Sequence, residues 1–215
     1  MPTVFTASLN DGLVVRHIHF SLVAHYLDIA QLHADPACQG LTIAHSLSRA
    51  IVAITFSAMS LEAFANEAAE DVFSESDLKA FIGLTGRFRK AKNVTGIGHK
   101  IATIFSEKGF PSLPDELLAD IDDVVGLRNS LVHYKLSDTA ARLIFPPAKS
   151  INAQDGSTMW CIDLEQAPDR IEAPFLSKVN EASAIRSYNT VYDVARHWCV
   201  NQNIPDGPIG FARLG

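Results

Sequence analysis

Between Leu41 and Phe73 the chain holds no proline and no glycine, and the middle of that stretch, Ala50 to Leu61, is apolar on nearly every side. An unbroken run of Ala, Leu, Ile, Phe and Met suits a helix, and a helix that is hydrophobic all round must be covered on all faces. The segment therefore predicts a central helix, and the rest of the chain has to supply its neighbours. Ala50 to Leu61 is well short of the ~20 residues that a bilayer crossing needs. The expected setting is the middle of a helical bundle, with no membrane partner.

Helical spacing recurs on both sides of this segment. Val14, Ile18, Leu22, Leu27 and Ala30 predict a first helix that starts after Asp11-Gly12 and ends before Asp35-Pro36. Ser76 or Asp77 is a suitable cap for a third helix reaching about Lys90. Gly83, Gly86, Gly96 and Gly98 weaken the pattern from 83 to 100, with a short helix expected at Ile101 to Glu107. Pro114-Asp115-Glu116 is a helix start with acids in its first turn. Core helices are thus expected at about 13–34, 41–73, 77–90, 114–134 and 175–200. Two β-prone runs, Ala141 to Phe145 and Thr158 to Ile162, stand apart, separated by Pro146-Pro147 and Asp155-Gly156. The predicted fold is all-α: an antiparallel bundle of four or more long helices in one domain, 1–215. A small β-hairpin or irregular excursion is expected near 140–166.

Composition agrees with a globular chain: 47% of residues are hydrophobic and 20% charged, over 215 residues. A chain of this length buries roughly 70% of its unfolded surface and needs no staples. Cys38, Cys161 and Cys199 are scattered, which argues against a disulfide framework or a zinc site and for reduced thiols. Met1 to Asp11 lacks the basic and apolar regions of a secretory signal, so a cytoplasmic setting is expected. A formal net charge of −6 means that any phosphate-binding site must be a local basic patch.

The segment with chemistry in it is Val125-Gly126-Leu127-Arg128-Asn129-Ser130-Leu131-Val132-His133-Tyr134. At about 100° per residue, Asn129 and His133 lie about 40° apart on one helix face, whereas Arg128 is about 140° from His133. One helix therefore places Arg128 and His133 poorly for a shared site, and a symmetry mate could supply the second member of each pair. Histidine titrates near neutral pH and could move the proton of a ribose 2′-hydroxyl or of a leaving oxygen. Arginine can grip the scissile phosphate bidentately and stabilise the charge of the transition state. Asn129 could orient either group.

Arg-Asn-x-x-x-His, with Ser60-Leu61-Glu62-Ala63-Phe64-Ala65-Asn66-Glu67 well upstream, resembles the HEPN superfamily of helical proteins. Their hallmark is an Arg and a His separated by four to six residues, often with a polar residue after the Arg. The two stretches cover about a tenth of the chain. The resemblance implies a homodimeric, metal-independent endoribonuclease that needs no cofactor and cuts RNA by 2′-hydroxyl attack at a composite dimer site. It implies Arg128, Asn129 and His133 as catalytic residues, and the role of a toxin or of a stress or defence effector, with an antitoxin or regulatory protein as partner. Some toxin members carry Tyr two residues after the His; here position 135 is Lys, and Tyr134 stands one residue early.

Other readings of these residues stay open. Arg128 and His133 also suit an ordinary C-terminal turn, where cations meet the helix dipole. Glu62 and Asn66 share a helix face at i, i+4, and a carboxylate within a central helix needs a partner, for which Arg128 is the obvious choice. The run Arg87-Phe88-Arg89-Lys90-Ala91-Lys92, followed by His99-Lys100, interleaves cations with an aromatic as single-strand RNA binders do. A solvated helix end accounts for the same residues. His17, His19, His25, His33 and His45 show no metal-site spacing, and Asp120, Asp122 and Asp123 fall where a helix favours acids anyway. A non-catalytic module that binds RNA, a nucleotide or a partner protein is the alternative to the enzyme, and a purely structural dimerising bundle is a third.

Overall fold

The structure is a computed structural model that describes residues 4–10, 13–19, 21–37, 43–90, 96–133, 142–144, 149–152, 154–161, 170–172, 177–204 and 210–215. The central helix forms as expected: α2 (Ile43–Val72) is 30 residues, about 45 Å long. Its buried residues include Ala50, Ala53, Ile54, Ala58, Leu61, Phe64, Ala65, Ala68 and Ala69, which leave no side wholly to solvent. Leu47–Val72 is long and apolar enough to cross a membrane by length and composition. The same apolarity is what a helix packed by five others requires.

Those five are α1 (Leu22–Ala34), α3 (Glu75–Ile82), α4 (Gly96–Glu107), α5 (Asp115–Val132) and α6 (Glu181–Asn201), all of which touch α2. The molecule is an all-α bundle in which α1 also packs on α6, and α5 on both α4 and α6. Helix α1 runs antiparallel to α2, because its start meets Ser60 and Glu67 and its end meets Arg49. The Glu67 carboxylate accepts the Leu22 N–H at 2.8 Å, and Arg49 Nη2 donates to the carbonyls of Leu32 (3.3 Å) and Asp35 (2.7 Å). An anion at one end of α1 and a cation at the other complement its dipole and satisfy groups that the helix cannot satisfy itself. Phe64, Phe105, Phe110 and Trp198 form one aromatic cluster, with Phe64 edge-on to Trp198 at 5.4 Å. Cys199, buried beside it in sequence, has its thiol pushed up by that burial.

Several boundaries differ from the sequence reading. The first helix begins at Leu22 and not at 13, since Leu13–His19 is a strand, β2, paired antiparallel with β1 (Val4–Asn10). Asn10 pairs with Leu13, so Asp11-Gly12 joins the two strands, and Asp-Gly is a hairpin signal more than a helix start. Val14, Val15 and Ile18 are β-branched, which favours the strand. In α1 the buried stripe is Val23, Leu27, Ala30 and Ala34, while Leu22 and Leu32 are exposed.

The third helix starts two residues early, capped by Ser74, whose hydroxyl accepts the Asp77 N–H. It stops at Ile82 rather than Lys90. Leu84 (φ 51°) and Gly86 (φ 57°) are left-handed, and only a 3-10 turn, Gly86–Phe88, follows. The short helix expected from Ile101 begins at Gly96. The last helix begins at Glu181, not 175, where Asn180 and Ser183 close a capping box.

The chain divides into two compact units, residues 1–133 with 179–215, and residues 134–178. The second holds the β-prone excursion. There β3 (Arg142–Ile144) pairs with β6 (Arg170–Glu172), and β4 (Lys149–Asn152) with β5 (Thr158–Cys161), both antiparallel. The β element therefore reaches Glu172, beyond the expected limit of 166, and a second one, β1–β2, opens the chain.

Candidate functional site

Arg128 and Asn129 lie in the last turns of α5, which ends with His133 as its C-cap. The Arg128 guanidinium makes an ion pair with Glu62 of α2 through Nη2, and Nη1 donates to Asn129 Oδ1 at 3.1 Å. The pair expected from the sequence is thus present. It ties α5 to the central helix at a place where the Arg128 side chain is 20% exposed and Glu62 39%. Two of the five guanidinium N–H donors are occupied in this way. Asn129 and His133 are exposed, and the His133 N–H closes the final turn onto the Asn129 carbonyl at 2.9 Å. No hydrogen bond joins the Arg128 and His133 side chains, as their 140° separation on the helix anticipates. Asn66, one turn beyond Glu62, is exposed.

Physical roles divide the stretch Leu61 to Glu67 cleanly. Leu61, Phe64 and Ala65 are core, Glu62 holds Arg128, and Glu67 caps α1. Lys100 of α4, which the sequence grouped with the basic run, is a cation whose charge interacts with that of Glu62. Its ammonium lies 5.7 Å from the Phe81 ring centroid. Burial holds its pKa below the ordinary lysine value, and the charge of Glu62 opposes that effect. Glu62 is thus the ion-pair partner of Arg128 and an opposing charge felt by Lys100. The glycines at 96 and 98 moved the expected start of that helix to Ile101, which left Lys100 just outside it, whereas the helix begins at Gly96.

The basic run is not the aromatic platform that its pattern suggested. Phe88 is 2% exposed, packed at 5.2 Å on Phe73 and 5.5 Å on Phe81, so its ring cannot stack on a base. Arg87 bridges Asp77 (3.1 Å) and Glu107 (2.8 Å) and lies 4.4 Å from the Phe88 ring centroid. It joins α3, the 3-10 turn and α4. Arg89 and Lys90 are exposed, and Lys92 lies outside the described residues. His99 Nε2 donates to the Phe88 carbonyl at 3.0 Å. Of the N-terminal histidines, His25 and His33 lie on α1. Among the described residues no group of three His, Cys, Asp or Glu side chains is arranged to hold a metal ion. Asp120 and Asp123 serve instead as partners of Arg186 on α6, Asp123 at 3.1 Å.

Compared with protein-family models, with curated proteins and with solved structures, the chain matches none.

Proposed function

We propose that the chain is a metal-independent endoribonuclease of the HEPN type, acting as a homodimer through Arg128, Asn129 and His133. The observation that carries this reading is the held guanidinium of Arg128, fixed by Glu62 and Asn129 one turn before an exposed histidine at the end of the same helix. A fixed guanidinium can stabilise charge that develops on a phosphate without reorganising first. In the reaction the 2′-oxygen of RNA forms a bond to phosphorus as the bond to the 5′-oxygen breaks. His133 of one copy takes the 2′-hydroxyl proton, and His133 of the other delivers a proton to the departing oxygen. Lys100 and Arg89 are additional cations for the phosphate backbone of a chain whose formal net charge is −6. In this reading the toxin or defence role, with a neutralising protein partner, follows from the resemblance alone.

The test is a cleavage assay on single-stranded RNA in EDTA. The expected products end in 2′,3′-cyclic phosphate, because the nucleophile belongs to the substrate. His133→Ala should lose roughly 10²–10⁴-fold in rate while remaining folded. Arg128→Ala should cost about as much, since one charge-stabilising donor is worth roughly 3 kcal/mol. Cleavage that stops in EDTA, or that His133→Ala leaves at the wild-type rate, would replace the enzyme with the non-catalytic binding module.

A further inference from the structure

A second site lies on α6 and owes nothing to Arg128. The segment from Gly210 to Gly215 is held against this helix by three side chains within two turns. Tyr188 Oη donates to the Ala212 carbonyl at 2.8 Å. Asn189 engages one residue twice: its Nδ2 donates to the Leu214 carbonyl at 3.0 Å, and its Oδ1 accepts the Leu214 N–H at 2.9 Å. Asp193, one turn on, takes Arg213 Nε at 3.4 Å. Tyr188 is 0% and Asn189 7% exposed, so both polar groups are buried at the helix surface by the segment they hold. A buried amide needs partners for its donor and its acceptor, and here a single backbone residue supplies both.

The pattern is that of peptide recognition. Backbone contacts fall on alternate residues, 212 and 214, as an extended chain presents them, and the residue between them meets a charge. Neither backbone contact depends on which side chain the bound residue carries. Side-chain selection comes from the aspartate, which asks for a cation, and from the half-buried positions of Phe211 and Leu214. Beside the segment lies a cleft of about 360 Å³ bounded by Asp120, Arg186, Asn189, Asp193, Arg213 and Gly215.

We propose that this face of α6 is a binding site for an extended peptide with a cationic residue at its centre, and that residues 210–215 are its exchangeable occupant in cis. The ligand class is set by Asn189, which reads the backbone of one residue, Tyr188, which reads the carbonyl two residues earlier, and Asp193, which reads the charge between.

The experiment uses a fluorescent peptide with the sequence of residues 210–215 and follows its polarisation on adding full-length protein. In the wild type the tethered segment competes at high local concentration, so the labelled peptide should bind weakly. A full-length chain carrying Arg213→Glu and Leu214→Pro loses the ion pair and the N–H that Asn189 accepts, which releases its own segment. It should bind the peptide at least ten-fold more tightly than the wild type. Adding Asn189→Ala should remove that gain. Should that buried change unfold the chain, Asp193→Lys on the surface is the second variant. It should weaken the peptide ten-fold or more and restore binding to a peptide that carries Arg213→Glu. Equal affinity in wild type and released chain, no binding to either, or indifference to both Asn189→Ala and Asp193→Lys would overturn the proposal.

Discussion

At the scale of single residues, Glu62 decides how Arg128 is presented. The pairing was legible in the sequence, because a carboxylate placed in the middle of a core helix must find a cation and the motif helix offered one. The link to Lys100 was not, because glycines put the expected start of its helix at Ile101 and left Lys100 with the basic run. Glu62→Gln keeps an oxygen for Arg128 but removes the charge, whereas Glu62→Ala removes both. Both partners are partly exposed, so the stability lost in Glu62→Ala should be near 1 kcal/mol and not the larger cost of a buried charge left alone. If Arg128 must be held to act, cleavage should fall more in Glu62→Ala than in Glu62→Gln, and equal rates would show that the pair only joins two helices. Tyr188 gives a pH prediction. Burial raises its pKa above the ordinary 10.0. As pH climbs past about 10 the unfolded phenol ionises while the folded one stays neutral, so stability is present below that pH and declines above it. Tyr188→Phe should flatten this alkaline decline, at the expense of about 1 kcal/mol for the lost bond to Ala212. Urea midpoints from pH 8 to 11 would register both, and parallel curves for the two proteins would refute the assignment.

Among the elements, how plainly each was written depended on whether one pattern dominated its segment. Helix α2 was plain because its run has no breaker and its middle, Ala50 to Leu61, is apolar nearly all round, and α5 because Pro114 and two acids mark its start. The start of the chain misled for a definite reason: Val14 and Ile18 fit a helical period, but they are β-branched and follow Asp-Gly, and pairing with Val4–Asn10 outweighed a weak periodicity. The basic run misled because sequence cannot say whether an aromatic between cations faces in or out. Phe88 faces in, and Arg87 lies over its ring with carboxylates on either side. Phe88→Ala should therefore destabilise the chain by about 3–5 kcal/mol, which at this size lowers Tm by roughly 6–20 °C. Arg186→Ala, which loses exposed ion pairs to Asp120 and Asp123, should cost under about 1 kcal/mol. A Phe88→Ala protein with wild-type Tm and weakened RNA binding would return that ring to a surface role.

For the whole molecule, the proposed two-histidine site asks how two copies would meet, since no hydrogen bond joins the Arg128 and His133 side chains within one copy. The exposed side of α5 includes Gly126, Asn129, Ser130, Val132 and His133, and a side chain placed at Gly126 would meet nothing within 4 Å. A shared site needs the two His133 close together, so the two-fold axis would have to pass near the end of α5, with Asn129, Val132 and His133 at the seam. That arrangement brings the two His133 together across the axis and leaves Gly126, about two turns back, at the edge of the contact. Val132→Arg, at an exposed apolar position beside His133, should then abolish dimerisation and cleavage together while leaving Tm of the separated chains close to that of wild type. Gly126→Ala is the control: replacing an exposed helical glycine should stabilise the single chain by roughly 0.5–1 kcal/mol. Sedimentation from one to fifty micromolar is the measurement. A dimer of about 1 µM affinity, near −8 kcal/mol, persists at the upper end of that range. A wild-type chain that stays monomeric throughout and still cuts RNA would place both proton transfers within one copy, and the two-histidine site would have to be abandoned.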